Sequence, residues 1–110
     1  MTEPINLDSA IATVRAERDR QDRLHPRDDW PLHPNPGGAL ACHVRRMMQM
    51  SNNTKEKNGG LGLTWADLLE EELAEACAET DPHAQAEELL QLAALAIRAA
   101  CALTRKEEGR

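Results

Sequence analysis

Carboxylates crowd one stretch of this chain. Nine Asp or Glu residues stand between Thr64 and Gln91, with no Lys or Arg among them. A solvated helix gains by pairing opposite charges at i,i+4 and loses where like charges face each other. So one-sided a block calls for a cation from elsewhere. A hard divalent ion is the simplest candidate. Mg²⁺ takes oxygen ligands and commonly binds through a few carboxylates together with substrate phosphates, and Mn²⁺ shares the preference for oxygen. The bland alternative is a solvated acidic face that holds nothing.

The elements around the block decide whether the acids meet. Thr64-Trp65-Ala66-Asp67 has the form of a capping box and predicts a helix over about residues 65–79. At about 100° per residue, Glu72, Glu75 and Glu79 fall on one narrow face, with Trp65, Leu69, Leu73 and Ala76 on the apolar face beside it. Asp81 reads as the N-cap of a second helix and Pro82 as its first residue. A break of only Thr80 and Asp81 predicts an antiparallel hairpin. Counted out from that break, Glu75 and Glu72 lie about 8 and 12 Å along one helix and Glu88 about 11 Å along the other. The three acids are level, and form one cluster if the two faces point together.

At this point a family resemblance emerges. Glu71-Glu72-x-x-Glu75, twelve residues, then Glu88-x-x-Gln91 resembles the MazG-like branch of the all-α nucleoside triphosphate pyrophosphohydrolases. That family shows Glu-Glu-x-x-Glu, a spacer, then Glu-x-x-Asp. Upstream, Glu17-Arg18-Asp19-Arg20-Gln21-Asp22 is similar to the N-terminal segment of short phage and actinobacterial members. Residues 36–63 carry no part of the likeness, and Gln91 departs from the family Asp. The resemblance implies an all-α helical bundle that hydrolyses a nucleoside triphosphate to the monophosphate and pyrophosphate. It implies Mg²⁺, or Mn²⁺, held by Glu72, Glu75 and Glu88, with Gln91 offering a carbonyl oxygen. Glu71 is then a further ligand or the base that takes a proton from water. Two other readings stay open. One is a nucleotide- or metal-binding regulatory protein of the same fold with little or no turnover, in keeping with Gln91. The other is a structural helical oligomer.

Composition narrows the partners. A net charge of −6 over 110 residues disfavours a nucleic-acid polymer, because phosphate contacts need clustered Lys and Arg. Trp30 and Trp65 are the only aromatic residues of the Phe, Trp and Tyr class, which leaves no stacking platform for single strands. Cys42, Cys77 and Cys101 form no CxxC pair and are odd in number, so a reducing cytoplasm is expected. Cys77 and Cys101 read as buried thiols, and the adjacent Cys42 and His43 point apart on a helix, against a zinc site. No basic start followed by a long apolar run suggests a secretory signal. The apolar stretch over residues 89–103 is interrupted by Gln91 and Arg98 and is too short to span a bilayer.

About four helices are expected in one domain. Asn6 or Asp8 can cap the first, over about residues 9–24. Its charges alternate from Arg15 to Arg23, which predicts either a self-paired solvated surface or, as the resemblance implies, Arg18 and Gln21 turned inward to the acids or the substrate. Residues 25–38, with four prolines and two glycines, are a loop. In that loop Trp30 plugs the end of the bundle or flanks a nucleobase, and His25 and His33 make polar contacts. A second helix is expected over residues 39–50, burying Leu40, Val44, Met47 and Met48 with Arg45 and Arg46 outward. Residues 51–63 read as a flexible linker, or as a mobile lid in which Lys55 or Lys57 reaches phosphates. The last helix, over about residues 82–104, is apolar nearly all round past Leu89. That implies cover from another subunit, in a homodimer or homotetramer. Residues 104–110 close the chain as a charged, frayed tail.

Overall fold

The computed structural model describes residues 3–108. Four helices account for the ordered structure: α1 (Leu7–Leu24), α2 (Ala39–Lys57), α3 (Trp65–Ala78) and α4 (Pro82–Glu108). No strand occurs among the described residues, and the fold is all-α. The chain divides into two compact units. One contains residues 3–30 and 96–108, the other residues 31–95, so α4 contributes to both.

In the first unit α1 starts two residues before the expected Ser9. Asn6 is its N-cap, and Asn6 and Ser9 each accept the other's backbone N–H. Ile5 N–H donates to Thr104 Oγ1 at 2.9 Å. Ala10 and Ala99 are the buried apolar side chains of this unit. Trp30 does not plug the bundle. It is 59% exposed and meets the His25 ring edge-on, with centroids 6.1 Å apart. The loop's four prolines keep the chain extended past the helix end.

In the second unit α2 packs along α3. The helix does not stop near Met50 but runs to Lys57, and the expected linker shrinks to residues 58–64. Ser-Asn-Asn-Thr is weakly helical by propensity, yet Thr54 Oγ1 bonds back to the Met50 carbonyl and Asn52 is buried against α3. Tertiary packing thus overrides propensity here. The chain then leaves α2 through Gly59, Gly60 and Gly62, all at φ between +73° and +80°, where L residues with side chains are strained.

The inward face of α2 also differs from expectation. Ala41 and Asn52 are buried and Met48 is half-buried, while Leu40, Val44 and Met47 are exposed. Arg46 is exposed and Arg45 half-buried. On α3 the buried residues are Ala74, Ala76 and Ala78. Alanine faces let the two helices approach closely, and the larger apolar side chains are left flanking the seam. An open apolar groove results, lined by Leu40, Val44, Met48, Leu73 and Cys77. All three cysteines are free and half-buried rather than buried.

The α3–α4 turn closes as the sequence predicts. Asp81 Oδ2 accepts from Ala84 N–H at 3.0 Å ahead of Pro82, and Gln85 Nε2 donates to the Glu79 carbonyl at 2.8 Å. Gly37, at φ +70°, crosses this turn and donates its N–H to the Cys77 carbonyl. A Cβ at that position would collide with Thr80 Cγ2. Past the turn α4 continues through Glu108, so residues 104–108 are helix rather than frayed tail. Residues 109–110 of that expected tail lie outside the described residues.

Candidate metal centre

The hairpin brings three acids together. Glu72 and Glu75 from α3 and Glu88 from α4 each offer a carboxylate oxygen, and the three atoms lie within 4.8 Å of one another. All three side chains are half-buried. Helix periodicity explains the α3 pair, since residues three apart share a face. The tight turn sets the level of Glu88 against them.

Burial makes the cluster electrostatically costly. Glu72 Oε2 and Glu88 Oε2 are buried and meet no hydrogen-bond donor. The Glu72 carboxyl is pushed up from 4.5 to about 7, first by burial, then by the charges of Glu75 and Glu88, and by a hydrogen bond shared with Glu88. The orphaned oxygens and that shared bond are two views of one contact. Two ionised carboxylates facing each other lack a donor, and a single proton between them supplies one. Buried acceptors gathered without donors want a proton or a cation.

A row of donors from α2 braces the site. Gln49 Nε2 donates to Glu75 Oε1 at 3.4 Å. Asn52 Nδ2 donates to Glu71 Oε1 at 2.8 Å and to the Asp67 carbonyl at 3.0 Å. Lys55 Nζ lies 3.0 Å from Asp67 Oδ2. Positions 49, 52 and 55 therefore meet 75, 71 and 67. Steps of three on α2 against steps of four on the antiparallel α3 are what interlocking side-chain ridges produce. The Lys55 ammonium, with help from Thr64 N–H, holds the Asp67 carboxyl below its usual range.

No family model matches the chain, and neither does a curated protein or a solved structure.

The other expected site residues are placed differently. Lys55 is neither in a linker nor on a lid: it sits in the last turn of α2, and its charge is spent on Asp67. Arg18 and Gln21 are exposed on α1. Arg18 pairs with Asp22 at 3.9 Å, and Gln21 donates to Glu17, which also pairs with Arg20. On the exposed surface of α1 two of the alternating charge pairs close locally, Arg18 with Asp22 and Arg20 with Glu17. Trp30 meets His25 edge-on, as described above. Gln91, one turn beyond Glu88, is exposed. Glu71 is half-buried and held by Asn52. Sequence reasoning missed Gln49 and Asn52. Asn52 had one signal, its helical spacing of four from Met48, masked by the polar run around it; Gln49 had none.

Proposed function

We propose that this protein is a divalent-metal-dependent hydrolase that splits a nucleoside triphosphate into the monophosphate and pyrophosphate, in the manner of the MazG-like pyrophosphohydrolases its motif resembles. One observation carries the reading: three carboxylates from two helices converge within 4.8 Å, with two buried oxygens that have no donor. Hard oxygen donors of this number and charge fit Mg²⁺ or Mn²⁺, and Glu72, Glu75 and Glu88 are the residues that would hold the ion. When bound, such an ion neutralises phosphate charge and makes water a better nucleophile. Glu71 is the residue offered for proton transfer. Asn52 fixes one of its oxygens, so the carboxylate is oriented before substrate arrives. Hydrolysis adds water oxygen to phosphorus, breaks the phosphoanhydride to release pyrophosphate, and passes a water proton to that base.

Assembly as a homodimer or homotetramer belongs to the same proposal. Every buried apolar side chain among the described residues is an alanine. An alanine methyl contributes only about 0.8 kcal/mol on burial. Meanwhile Leu40, Val44, Met47, Leu73, Leu90 and Leu103 are all more than two-fifths exposed. A second copy would supply the missing core. No helix among the described residues is long and apolar enough to cross a membrane.

A second reading is favoured by Gln91, which brings no charge and lies exposed. It is a metal- or nucleotide-binding regulator without turnover. Both readings are tested by incubating the protein with each common NTP and dNTP in Mg²⁺ and in Mn²⁺ and measuring pyrophosphate. Release that disappears in Glu75→Gln supports the hydrolase. Binding without release supports the regulator, and neither binding nor release rejects both.

A further inference from the structure

Building on the reading of the acidic triad, we propose that Arg45 and Arg46 form a polyphosphate anchor on α2, holding the phosphate tail of the substrate beside the metal centre. The two side chains line a recess of about 400 Å³ with Cys42, His43 and Gln49. Gln49 is the link. It borders the recess and donates to Glu75 Oε1, so one wall of the recess touches a member of the triad. Both arginines lie within one helical turn of Gln49, about 5–6 Å along the axis.

Position and charge together mark this pair: both arginines border the recess that Gln49 shares with the triad. The chain carries 19 acidic and 13 basic residues, and four of its cations pair with acids: Arg18 with Asp22, Arg20 with Glu17, Arg27 with Asp29 and Lys55 with Asp67. Among the described residues no carboxylate pairs with Arg45 or Arg46. Both side chains border the same recess, so an anion held there has two guanidiniums within reach. Their planar forks match phosphate oxygens in a bidentate way that Lys does not. Phosphates held between these forks and a cation on the triad would be gripped from both sides. Such an anchor recognises the charge of the tail rather than the base. It favours a triphosphate over the monophosphate product, which keeps no tail for the anchor to hold. Lys55, the phosphate contact expected from the sequence, is occupied by Asp67, and this pair takes its place.

The test is calorimetric titration of two probes, Mn²⁺ alone and inorganic tripolyphosphate in the presence of Mn²⁺. The proteins are wild type, Arg45→Gln, Arg46→Gln, the double variant, and Arg23→Gln as a control for net charge. Circular dichroism confirms helix content in each. The anchor predicts that the double variant loses tripolyphosphate affinity by about tenfold or more. Mn²⁺ binding alone should be unchanged, and the control should stay within about twofold of wild type. Unaltered tripolyphosphate affinity in the double variant overturns the proposal. So does an equal loss in Arg23→Gln, or a wild type that binds no tripolyphosphate. This result is independent of turnover. Tight arginine-dependent binding without hydrolysis of any nucleotide would leave the anchor standing and remove the hydrolase. Hydrolysis with an unchanged KM in the double variant would do the reverse.

Discussion

Glutamine in place of Glu72 is expected to stabilise the metal-free protein, and more strongly the higher the pH. In the folded chain the Glu72 carboxyl titrates near 7 instead of 4.5, because burial and the charges of Glu75 and Glu88 oppose its ionisation. Between those values the native state holds a proton that the unfolded state has released. The stability associated with protonated Glu72 is therefore complete below the unfolded value, declines as pH rises through the window, and is gone above about 7. Each unit of separation is worth about 1.4 kcal/mol. With solvent screening at a half-buried site, the swing is on the order of 2–3 kcal/mol. Glutamine keeps the shape without ionising and avoids the penalty. For a domain of this size the gain corresponds to roughly 10 °C in Tm at about pH 8, and to little at about pH 4. Millimolar Mg²⁺ should reverse the order. Wild type gains by mass action from a cation that binds only the folded state, and Glu72→Gln does not. Calorimetric melts of both proteins at the two pH values, in chelator and in Mg²⁺, read all of this. Melting curves that differ by the same amount at both pH values would refute the reasoning, because the carboxylate would then not be under strain in the fold.

Three further outcomes are expected. Asn52→Ala removes the donor that holds Glu71 and should cost about 1–2 kcal/mol in urea unfolding, with an unchanged far-ultraviolet spectrum. Gly37→Ala forces a side chain onto a backbone at φ +70° and against Thr80. A loss of about 1–3 kcal/mol is expected, and an unaltered Tm would show that the loop crossing is not needed. Light scattering at micromolar concentration should give a mass at least twice the 12.2 kDa of one chain. A monodisperse single-chain mass would exclude the shared core.

Local signals carried much of the fold and most of the triad. The capping box of Thr64 with Asp67 and the Asp81-Pro82 helix start involve neighbours in sequence and can be read without knowing the rest. For α1 the same kind of signal left Asn6 and Asp8 both open as cap until the structure chose Asn6. Glu72, Glu75 and Glu88 were legible because one short turn converts residue counting into distance. What escaped was decided by contacts between distant segments. Ser51 to Thr54 looks like a helix breaker until Asn52 is seen bonded to α3. Leu40, Val44 and Met47 form a proper apolar stripe, yet Ala41, Met48 and Asn52 on the adjacent stripe face α3 instead. Periodicity marks an apolar face. It does not say whether the chain itself or another copy will cover it.

The seam between α2 and α3 has a gradient. Its donors are two uncharged amides where they meet Glu75 and Glu71, and an ammonium where it meets Asp67. An amide can orient a carboxylate and leave its negative charge available, whereas an ammonium cancels it. The protein thus keeps its built-in counter-ion about one and a half to two helical turns along α3 from the place where a foreign one would be useful. A lysine at position 52 would spend the charge of Glu71 inside the protein, leaving the triad its acids but taking away the carboxylate offered for proton transfer.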